Sequence, residues 1–429
     1  MRTLRFGDRG ADVMQLQLAL SRAGYAIGGI DGIFGPKTLN ALRRFQAANG
    51  LAIDGIAGMN TWTALNKYLL GYFNHRIERG DTYYKLAQRY GTDVKKIVSA
   101  NPDKNPENLI IGDTVVIPFG FDVVPTNVMF TSSLAETVIK GLKARYPFIS
   151  VEMIGSSTMG TPLYALRMGN GTKKVLYNAS HHANEWITTP VLLKFLEQYA
   201  EAYIGGGSIF GLDAARLYDE VSLILVPLVN PDGVDLVNGA LALNDRFYVQ
   251  ARRIAAEFPK IPFPTGWKAN IEGTDLNLNY PAGWEEAKRI KYELGYTKPA
   301  PRDYVGDGEL SAVESRAMYD FTLKERPELT LSYHSQGEVI YWKYLDIEPE
   351  KGLAIANRFS EASGYSVETT PYESGYAGYK DWFILEFERP GYTIEVGRGV
   401  NPLPLSQFDK IYGDNVGILA IGLDAATEL

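Results

Sequence analysis

The sequence of 429 residues contains no cysteine, which excludes disulfide bridges, cysteine nucleophiles and zinc sites built from thiolates. Histidine is scarce as well, because His75, His181, His182 and His334 are the only four. Any zinc site must therefore combine some of these imidazoles with carboxylates. The lack of cysteine leaves the redox compartment undecided.

Long apolar runs and an excess of positive charge are also missing. The strongest apolar run, Val221–Val229, is too short to span a bilayer and predicts a buried strand. No apolar run follows the first charged residues, so we expect a soluble protein without a secretory signal, although another export route stays open. With 43 basic and 50 acidic residues the net charge is −7, which predicts neither a nucleic-acid partner nor an anionic membrane surface.

A short repeat stands near the N-terminus. The pattern DGIxGxxT occurs at residues 31–38 and again at residues 54–61. Asp-Gly favours a turn, and Pro36 suits the first turn of a helix that begins just after the first copy. Residues 3–68 therefore predict a small helical unit. Through DGIFGPKT and FQAANGLAIDGIAGMNTW this segment resembles the peptidoglycan-binding domain of cell-wall hydrolases, which implies binding to peptidoglycan.

The next segment, residues 73–118, predicts a strand, two helices and a second strand. We expect Asp81 or Thr82 to cap the first helix, Gly91 to end it and Thr92 to cap the second. We expect a strand near 76–78, a first helix over 83–90, a second helix that ends at 98, and a strand over 114–117. With GDT, YGT, ANP and GDTVVIP the segment resembles a LysM module, which implies binding of glycans that contain N-acetylglucosamine.

The remaining 300 or so residues alternate strand-like and helix-like runs, which predicts an α/β fold with helices flanking a mainly parallel or mixed sheet. Expected strands are 150–154, 175–177, 223–228, 329–333 and 393–396. Expected helices are 134–145, 189–203, 311–325, 352–362 and 405–427. The sequence thus predicts three domains: a helical domain over 1–70, a LysM domain over 73–118 and a catalytic domain over 125–429.

The sharpest local feature is SHHANEW at residues 180–186, which follows one of these strands. His182 and Glu185 are three residues apart, so both side chains can face one cation. A third nitrogen could come from His334, His75 or His181, and His334 follows a strand at a position where α/β proteins hold ligands. Two histidines and one glutamate would leave one zinc position open, as in catalytic zinc sites. The alternative is that histidine and glutamate occur at this spacing by chance and bind no metal.

Further motifs follow in a fixed order: NPDG at 230–233, DLNLN at 275–279, SYHS at 332–335 and TIEVG at 393–397. Together with HxxE they resemble the zinc metallocarboxypeptidase family over about residues 125–429. The resemblance implies a carboxypeptidase-like mixed sheet and one Zn²⁺ held by His182, Glu185 and His334. It also implies that Glu395 is the general base, whereas an ion-paired strand residue is the alternative. His181 is expected to pack beside the ligands or to orient one of them.

The sequence departs from that family at positions that contact substrate. Where the family has an arginine that polarises the scissile carbonyl, this chain has Lys268, which we expect to stabilise the oxyanion unless it is a solvated surface lysine. In DLNLN, Asn277 is expected to bind substrate. Leu278 replaces an arginine that clamps the terminal carboxylate in exopeptidases, and leucine cannot form that bidentate pair. Arg398 is the expected carboxylate binder, with a structural ion pair as the alternative.

These departures, with two wall-binding modules, resemble the γ-D-glutamyl-L-diamino acid endopeptidase branch of the family. The resemblance implies cleavage of peptidoglycan stem peptides between γ-D-glutamate and the L-centre of the diamino acid. A wall-tethered carboxypeptidase of broader specificity and an inactive wall-binding protein are the alternatives. The catalytic tyrosine stays open between Tyr372 and Tyr376. The diamino acid and the oligomeric state are not determined by the sequence, and the location is open between spore or cell wall and cytoplasm.

Overall fold

The computed structural model describes residues 2–429, which divide into two compact units. The first takes in the chain up to Met129 together with Ser133–Ser150 and Ala200–Gly206. The second comprises Phe130–Ser132, Val151–Tyr199 and Gly207–Leu429. Both segments predicted to bind the cell wall lie in the first unit, and the finer division into three domains stays a prediction.

The N-terminal part of the first unit is helical. Its helices are α1 (Ala11–Arg22), α2 (Pro36–Ala48) and α3 (Met59–Leu70), and Pro36 occupies the first position of α2 as expected. Leu16, Leu42 and Leu65 are fully buried, one from each helix, so the apolar faces of the three helices share a core.

The repeated turns are held by two equivalent glutamines. In the first, Gln17 Nε2 donates to Asp31 Oδ1 over 2.8 Å and to Thr38 Oγ1 over 3.1 Å, while its Oε1 accepts from the Gly32 amide over 2.9 Å. In the second, Gln46 makes the same contacts with Asp54, Thr61 and Gly55. The aspartate and threonine of DGIxGxxT therefore bond one buried amide in each copy, which explains why the two patterns match.

The following segment has the expected order of elements. Strands β1 (Tyr72–Arg76) and β2 (Thr114–Pro118) pair antiparallel, and α4 (Tyr83–Tyr90) and α5 (Val94–Ala100) lie between them in sequence. Thr82 caps α4, and Gly91 ends it with a left-handed conformation. Two details of the prediction are wrong. The first strand ends at Arg76, and Asp93 caps α5 instead of Thr92, because its carboxylate accepts from the Lys95 amide over 2.6 Å.

The second unit is built on a sheet which, among the described residues, has eight strands in the order β11-β10-β12-β9-β5-β8-β4-β3. The central neighbours β12, β9, β5 and β8 run parallel, and β4 and β10 run antiparallel to β8 and β12. The strands of this sheet are β3 (Ser150–Ser156), β4 (Pro162–Met168), β5 (Lys173–Ala179), β8 (Val221–Val226), β9 (Leu329–His334), β10 (Val339–Tyr341), β11 (Ser366–Glu368) and β12 (Gly391–Glu395). A separate short hairpin is formed by β6 (Ser208–Ile209) and β7 (Leu212–Asp213).

The chain from Ser132 onward contributes ten α-helices within the described residues. They are α6 (Ser132–Arg145), α7 (Thr188–Gly205), α8 (Ala214–Glu220), α9 (Pro231–Val237), α10 (Arg246–Ala256), α11 (Trp284–Glu293), α12 (Val313–Glu325), α13 (Gly352–Ser363), α14 (Tyr379–Phe387) and α15 (Phe408–Ala426). None of the helices in residues 2–429 is both long enough and apolar enough to cross a membrane. The mixed sheet and flanking helices confirm the predicted fold class.

Sheet topology explains where a site can form. Strands β5, β9 and β12 are adjacent and parallel, so their carboxyl ends meet at one edge of the sheet. His334 ends β9, Glu395 ends β12, and the pairing register places these two residues directly beside each other. The segment that carries His182 and Glu185 follows β5 at the same edge. Residues far apart in sequence are thereby brought together.

The paired glutamines give a test of the helical part. Replacing Gln17 by leucine leaves the buried Gly32 amide and the Thr38 hydroxyl without their partner, which should lower the free energy of unfolding by about 1–3 kcal/mol. Urea denaturation, with hydrogen exchange of residues 30–38 as a local probe, measures the change. The exposed Gln88 serves as a control, because Gln88→Leu breaks only a surface contact with Tyr84. Equal stability of Gln17→Leu and wild type would contradict the role of this network.

Candidate metal centre and substrate cavities

Three buried side chains converge at the carboxyl edge of the sheet. His182 Nδ1 lies 2.9 Å from Glu185 Oε1, His334 Nδ1 lies 3.0 Å from Glu185 Oε2, and the two Nδ1 atoms are 3.0 Å apart. His182 and Glu185 are brought together by a single turn of 3-10 helix over Ala183–Glu185. The three residues form the group that could hold a metal ion among residues 2–429.

The protonation pattern of this cluster fits a cation at its centre. His182 Nε2 lies 3.1 Å from Asp275 Oδ1, and an ionised carboxylate can only accept, so the ring proton of a neutral His182 belongs on Nε2. The lone pair on His182 Nδ1 then faces both a carboxylate oxygen and the second imidazole. Such facing acceptors repel each other unless a proton or a metal cation lies between them. Two imidazoles and one carboxylate are the donors that zinc prefers, and the residues present therefore fit the ion.

Contacts around the cluster fix the Glu185 carboxylate. The Ser335 amide donates to Glu185 Oε2 over 3.1 Å, and Asn401 reaches Ser335 through two hydrogen bonds of 2.7 and 2.8 Å. Burial raises the pKa of Glu185, but His182 and His334 outweigh this effect and hold that pKa far below its usual range. Glu185 is therefore a carboxylate, the form in which it can bind a metal.

Glu395 stands beside the cluster without belonging to it. Its backbone pairs with that of His334, and its side chain lines both cavities next to His182. Burial and, after it, repulsion by the Glu185 carboxylate raise the pKa of Glu395 to about 8. A dication held by the three ligands would counter this rise, because positive charge favours the carboxylate. A carboxylate whose proton affinity can be tuned in this way can exchange protons with a reacting group.

Two cavities meet at these residues. The larger has a volume of about 750 Å³, and the smaller of about 200 Å³. Both are lined by His182, Lys268, Arg302, Tyr341 and Glu395. Substrate on either side of a reacting bond would therefore have its own cavity, with the candidate metal centre at the junction.

Lys268 lies at that junction. Its Nζ is 3.7 Å from Asp275 Oδ2, and its backbone carbonyl accepts from the Ala183 amide over 3.0 Å. Burial lowers the pKa of Lys268, but the carboxylates of Asp275, Asp303 and Glu185 together outweigh burial, and the net shift is upward. The lysine is thus a partly buried cation on a cavity wall, and the alternative of a solvated surface lysine does not describe its position.

Asn277 and Leu278 line the smaller cavity. Asn277 Oδ1 accepts from the Tyr379 amide over 2.9 Å, so this bond does not use the NH₂ group of Asn277. Leu278 is only 7% exposed and packs with Trp284 and Val305. The wall of the smaller cavity therefore includes an apolar side chain that is fixed in a small core.

Some expected residues are not brought to the cavities. The side chain of Arg398 is 75% exposed, pairs with Glu338 over 2.6 Å and is absent from the residues that line either cavity. Its role in substrate binding stays a prediction. Tyr372 bonds Glu286 at the surface, and Tyr376 packs in a core, so neither lines a cavity.

The remaining histidines have other partners. His181 is fully buried, its Nε2 lies 3.0 Å from the Tyr280 hydroxyl, and its ring stacks on that of His334. Burial, followed by the proximity of His334, holds the pKa of His181 well below its usual range, so the ring is neutral. His75 lies in β1 and bonds Asp81 over 2.8 Å, in the other unit.

Three residues that line the cavities were not indicated by any sequence pattern. Tyr341 lines both cavities, but tyrosine is common in this chain and its strand is only three residues long. Asn184 lies in the larger cavity with a buried side-chain oxygen that has no hydrogen-bond partner among the described residues. Arg302 lines both cavities and belongs to a loop without a recognisable motif. The HxxE spacing could have drawn attention to Asn184, whereas Arg302 had no signal.

Comparison with protein families assigns each part of the chain. Residues 135–416 match the zinc carboxypeptidase family, residues 9–65 match a peptidoglycan binding domain and residues 75–118 match the LysM domain. The chain therefore belongs to the zinc carboxypeptidase family, whose members are zinc-dependent peptidases, and it carries two domains that bind peptidoglycan.

Individual relatives agree with this assignment. The chain is 43% identical to gamma-D-glutamyl-L-diamino acid endopeptidase 1 of Lysinibacillus sphaericus over 285 residues, which is 66% of this chain and 70% of the relative. It is 37% identical to the uncharacterized protein YqgT of Bacillus subtilis over 85% of this chain and 95% of that protein. The fold resembles bovine thrombin-activatable fibrinolysis inhibitor, solved with tick carboxypeptidase inhibitor, with a TM-score of 0.54 and 19% identity over 70% of this chain and 98% of that one.

The contact between Asp275 and His182 predicts an effect on metal affinity. Asp275→Asn should weaken zinc binding by about 10–100-fold, because the ring loses the carboxylate that fixes its tautomer and raises its basicity. Competition with a chromogenic chelator measures the affinity. Asp81→Asn is the matched control, since it breaks the equivalent contact with His75 at a place without other ligands. Unchanged affinity in Asp275→Asn would contradict the proposed orientation of His182.

Proposed function

We propose that this protein is a zinc-dependent peptidase that cleaves peptidoglycan stem peptides between γ-D-glutamate and the L-centre of the diamino acid. The observation that carries the proposal is the smaller cavity, where the buried Leu278 lies in the same lining as His182 and Glu395. The resemblance implies an arginine at the position of Leu278 in exopeptidases. The name of the relative from Lysinibacillus sphaericus supports the same substrate.

In this proposal His182, Glu185 and His334 hold one Zn²⁺ per chain. The ion would supply a Lewis acid that polarises the scissile carbonyl and activates water for attack. Asp275 keeps the ring of His182 oriented, and the Ser335 amide keeps the Glu185 carboxylate in place. These contacts mean that the chain holds the ligand geometry before substrate arrives.

Glu395 transfers the proton, and Lys268 stabilises the negative charge that develops during the reaction. Glu395 accepts a proton from the attacking water and delivers it to the nitrogen of the leaving amine, so that the C–N bond breaks as that nitrogen becomes protonated. Lys268 projects its ammonium group into the junction of the cavities, where it stabilises negative charge on the former carbonyl oxygen. The Asp275 carboxylate holds this ammonium in its charged form.

The N-terminal modules concentrate the enzyme on its substrate. We propose that the LysM module binds glycan that contains N-acetylglucosamine and that the helical module binds the same polymer. Two modules on one chain raise the local concentration of stem peptides around the cavity without taking part in the chemistry.

Leu278 predicts that the enzyme prefers stem peptides to ordinary dipeptides with a free C-terminal residue. A buried apolar side chain offers no partner for a terminal carboxylate, so the enzyme should cleave γ-D-glutamyl-diaminopimelyl fragments at least 100-fold more efficiently than a hippuryl dipeptide with a free L-residue. Mass spectrometry of digested muropeptides should show L-Ala-D-Glu or its muramyl form. Intact stem peptides in the presence of zinc-loaded protein, or equal rates on the dipeptide, would contradict the proposal.

The role of Glu395 is separable from metal binding. Glu395→Gln should retain zinc but lower kcat by about 10²–10⁴-fold, because the three ligands are untouched and only the proton acceptor is lost. Metal analysis and stem-peptide kinetics on the same preparation measure both quantities. A variant that loses its zinc would show that Glu395 is a ligand, and one with full activity would show that the base lies elsewhere.

A further inference from the structure

The cavities contain five cationic side chains, but their contacts differ. Lys260, Lys268, Lys291, Arg302 and Lys380 are the lysines and arginines that line them. The buried Nζ of Lys380 donates hydrogen bonds to the Lys343 carbonyl and the Thr370 hydroxyl and forms an ion pair with Asp381 over 2.6 Å. Lys291 pairs with Asp303 over 2.9 Å, and Lys260 is exposed at the rim of the larger cavity.

Arg302 is different because only one of its nitrogens is engaged. Its Nε donates to Asp303 Oδ2 over 2.7 Å, and within residues 2–429 no hydrogen bond or ion pair involves its two terminal nitrogens. A guanidinium held through Nε presents the remaining N–H groups as a fork, which is the geometry that binds a carboxylate through two hydrogen bonds.

The position of Arg302 is tied to the candidate metal centre. Asp303, which holds its Nε, donates its backbone N–H to Asp275 Oδ2 over 3.2 Å, and Asp275 is the partner of His182. The Pro301 carbonyl, just before Arg302, accepts from the Lys268 amide over 2.7 Å. Arg302 is therefore connected both to a ligand and to the expected oxyanion residue, and it lines both cavities.

We propose that Arg302 is a specificity residue that binds one of two free carboxylates of the stem peptide, the α-carboxylate of D-glutamate or the far carboxylate of diaminopimelate. The inference rests on the proposed function, because that substrate carries free carboxylates near the scissile bond. A γ-linked D-glutamate retains its α-carboxylate, and diaminopimelate carries a second carboxylate at its far end. Both sources offer the same chemistry. Arg302 thus offers a charged contact to a carboxylate that is specific to the stem peptide and does not replace the terminal clamp missing at Leu278. Arg398 pairs with Glu338 and does not line either cavity.

Binding measurements on the full chain test this assignment without relying on turnover. Zinc-loaded Glu395→Gln protein, with and without Arg302→Ala, is titrated by calorimetry with L-Ala-γ-D-Glu-meso-diaminopimelate. The Kd should rise by about 10–100-fold on loss of the charge-assisted pair. Arg302→Lys should recover part of this loss, because it keeps the charge without the fork. Arg289→Ala is the matched control, since Arg289 is an exposed arginine paired with Glu286 and Glu293.

Two analogues identify the carboxylate. One carries D-isoglutamine, which removes the α-carboxylate, and the other carries L-lysine, which removes the far carboxylate. The protein with Arg302 should prefer the full peptide over one analogue by about 10–100-fold, and Arg302→Ala should lose that preference while keeping the other. Loss of the isoglutamine preference assigns Arg302 to D-glutamate, and loss of the lysine preference assigns it to diaminopimelate.

The inference is overturned if zinc-loaded, folded Arg302→Ala binds all three peptides as the parent does, if it weakens all three equally, or if Arg398→Ala carries the loss instead. Cleavage by the wild type is scored separately. Failure of the wild type to cleave any stem peptide refutes the proposed function, whereas unchanged Kd values in an enzyme that does cleave them refute only the role of Arg302.

Discussion

The site depends on one electrostatic constraint, the burial of three electron-rich groups against one another. The Nδ1 atoms of His182 and His334 and the carboxylate of Glu185 lie within about 3 Å of each other, where their lone pairs would repel. A proton or a metal cation relieves that repulsion, and the contacts of Asp275 and Ser335 hold the three side chains in an arrangement that fits a metal ion. Glu395, Lys268 and the two cavities are arranged around this point.

The parallel order of the central strands brings these side chains together. Because β5, β9 and β12 are adjacent, the residues at their carboxyl ends meet although they are separated by more than 200 positions in the chain. Their interiors are buried, so the ends are fixed by the core of the sheet. Loops at the same edge then supply the charges: Lys268 from one, and Arg302 with Asp303 from the next. The sheet thus positions the candidate metal ligands, and the loops position charged side chains along the cavity walls.

The sequence alone predicted the fold, the family and the domains. It did not predict the shortest strands or which arginine lines the cavities. The α/β fold, the family and both wall-binding domains followed from local patterns, because strand periodicity, DGIxGxxT and HxxE can each be recognised within a few consecutive residues. Short strands such as β10, with three residues, have too little periodicity to be recognised. The sequence drew attention to Arg398 and not to Arg302, because the position of each arginine relative to the cavities depends on how the loops fold. Only the structure shows that Arg398 pairs with Glu338 while Arg302 lines the cavities.

The central claim is that His182, Glu185 and His334 hold one zinc ion. Anomalous diffraction at the zinc absorption edge, on crystals of protein grown with zinc, tests it most directly. The account predicts a single strong peak per chain, about 2.0–2.1 Å from the Nδ1 atoms of His182 and His334 and about 2.0–2.2 Å from a carboxylate oxygen of Glu185. A peak coordinated by other residues, or no peak at this cluster in crystals soaked with zinc, would contradict the account.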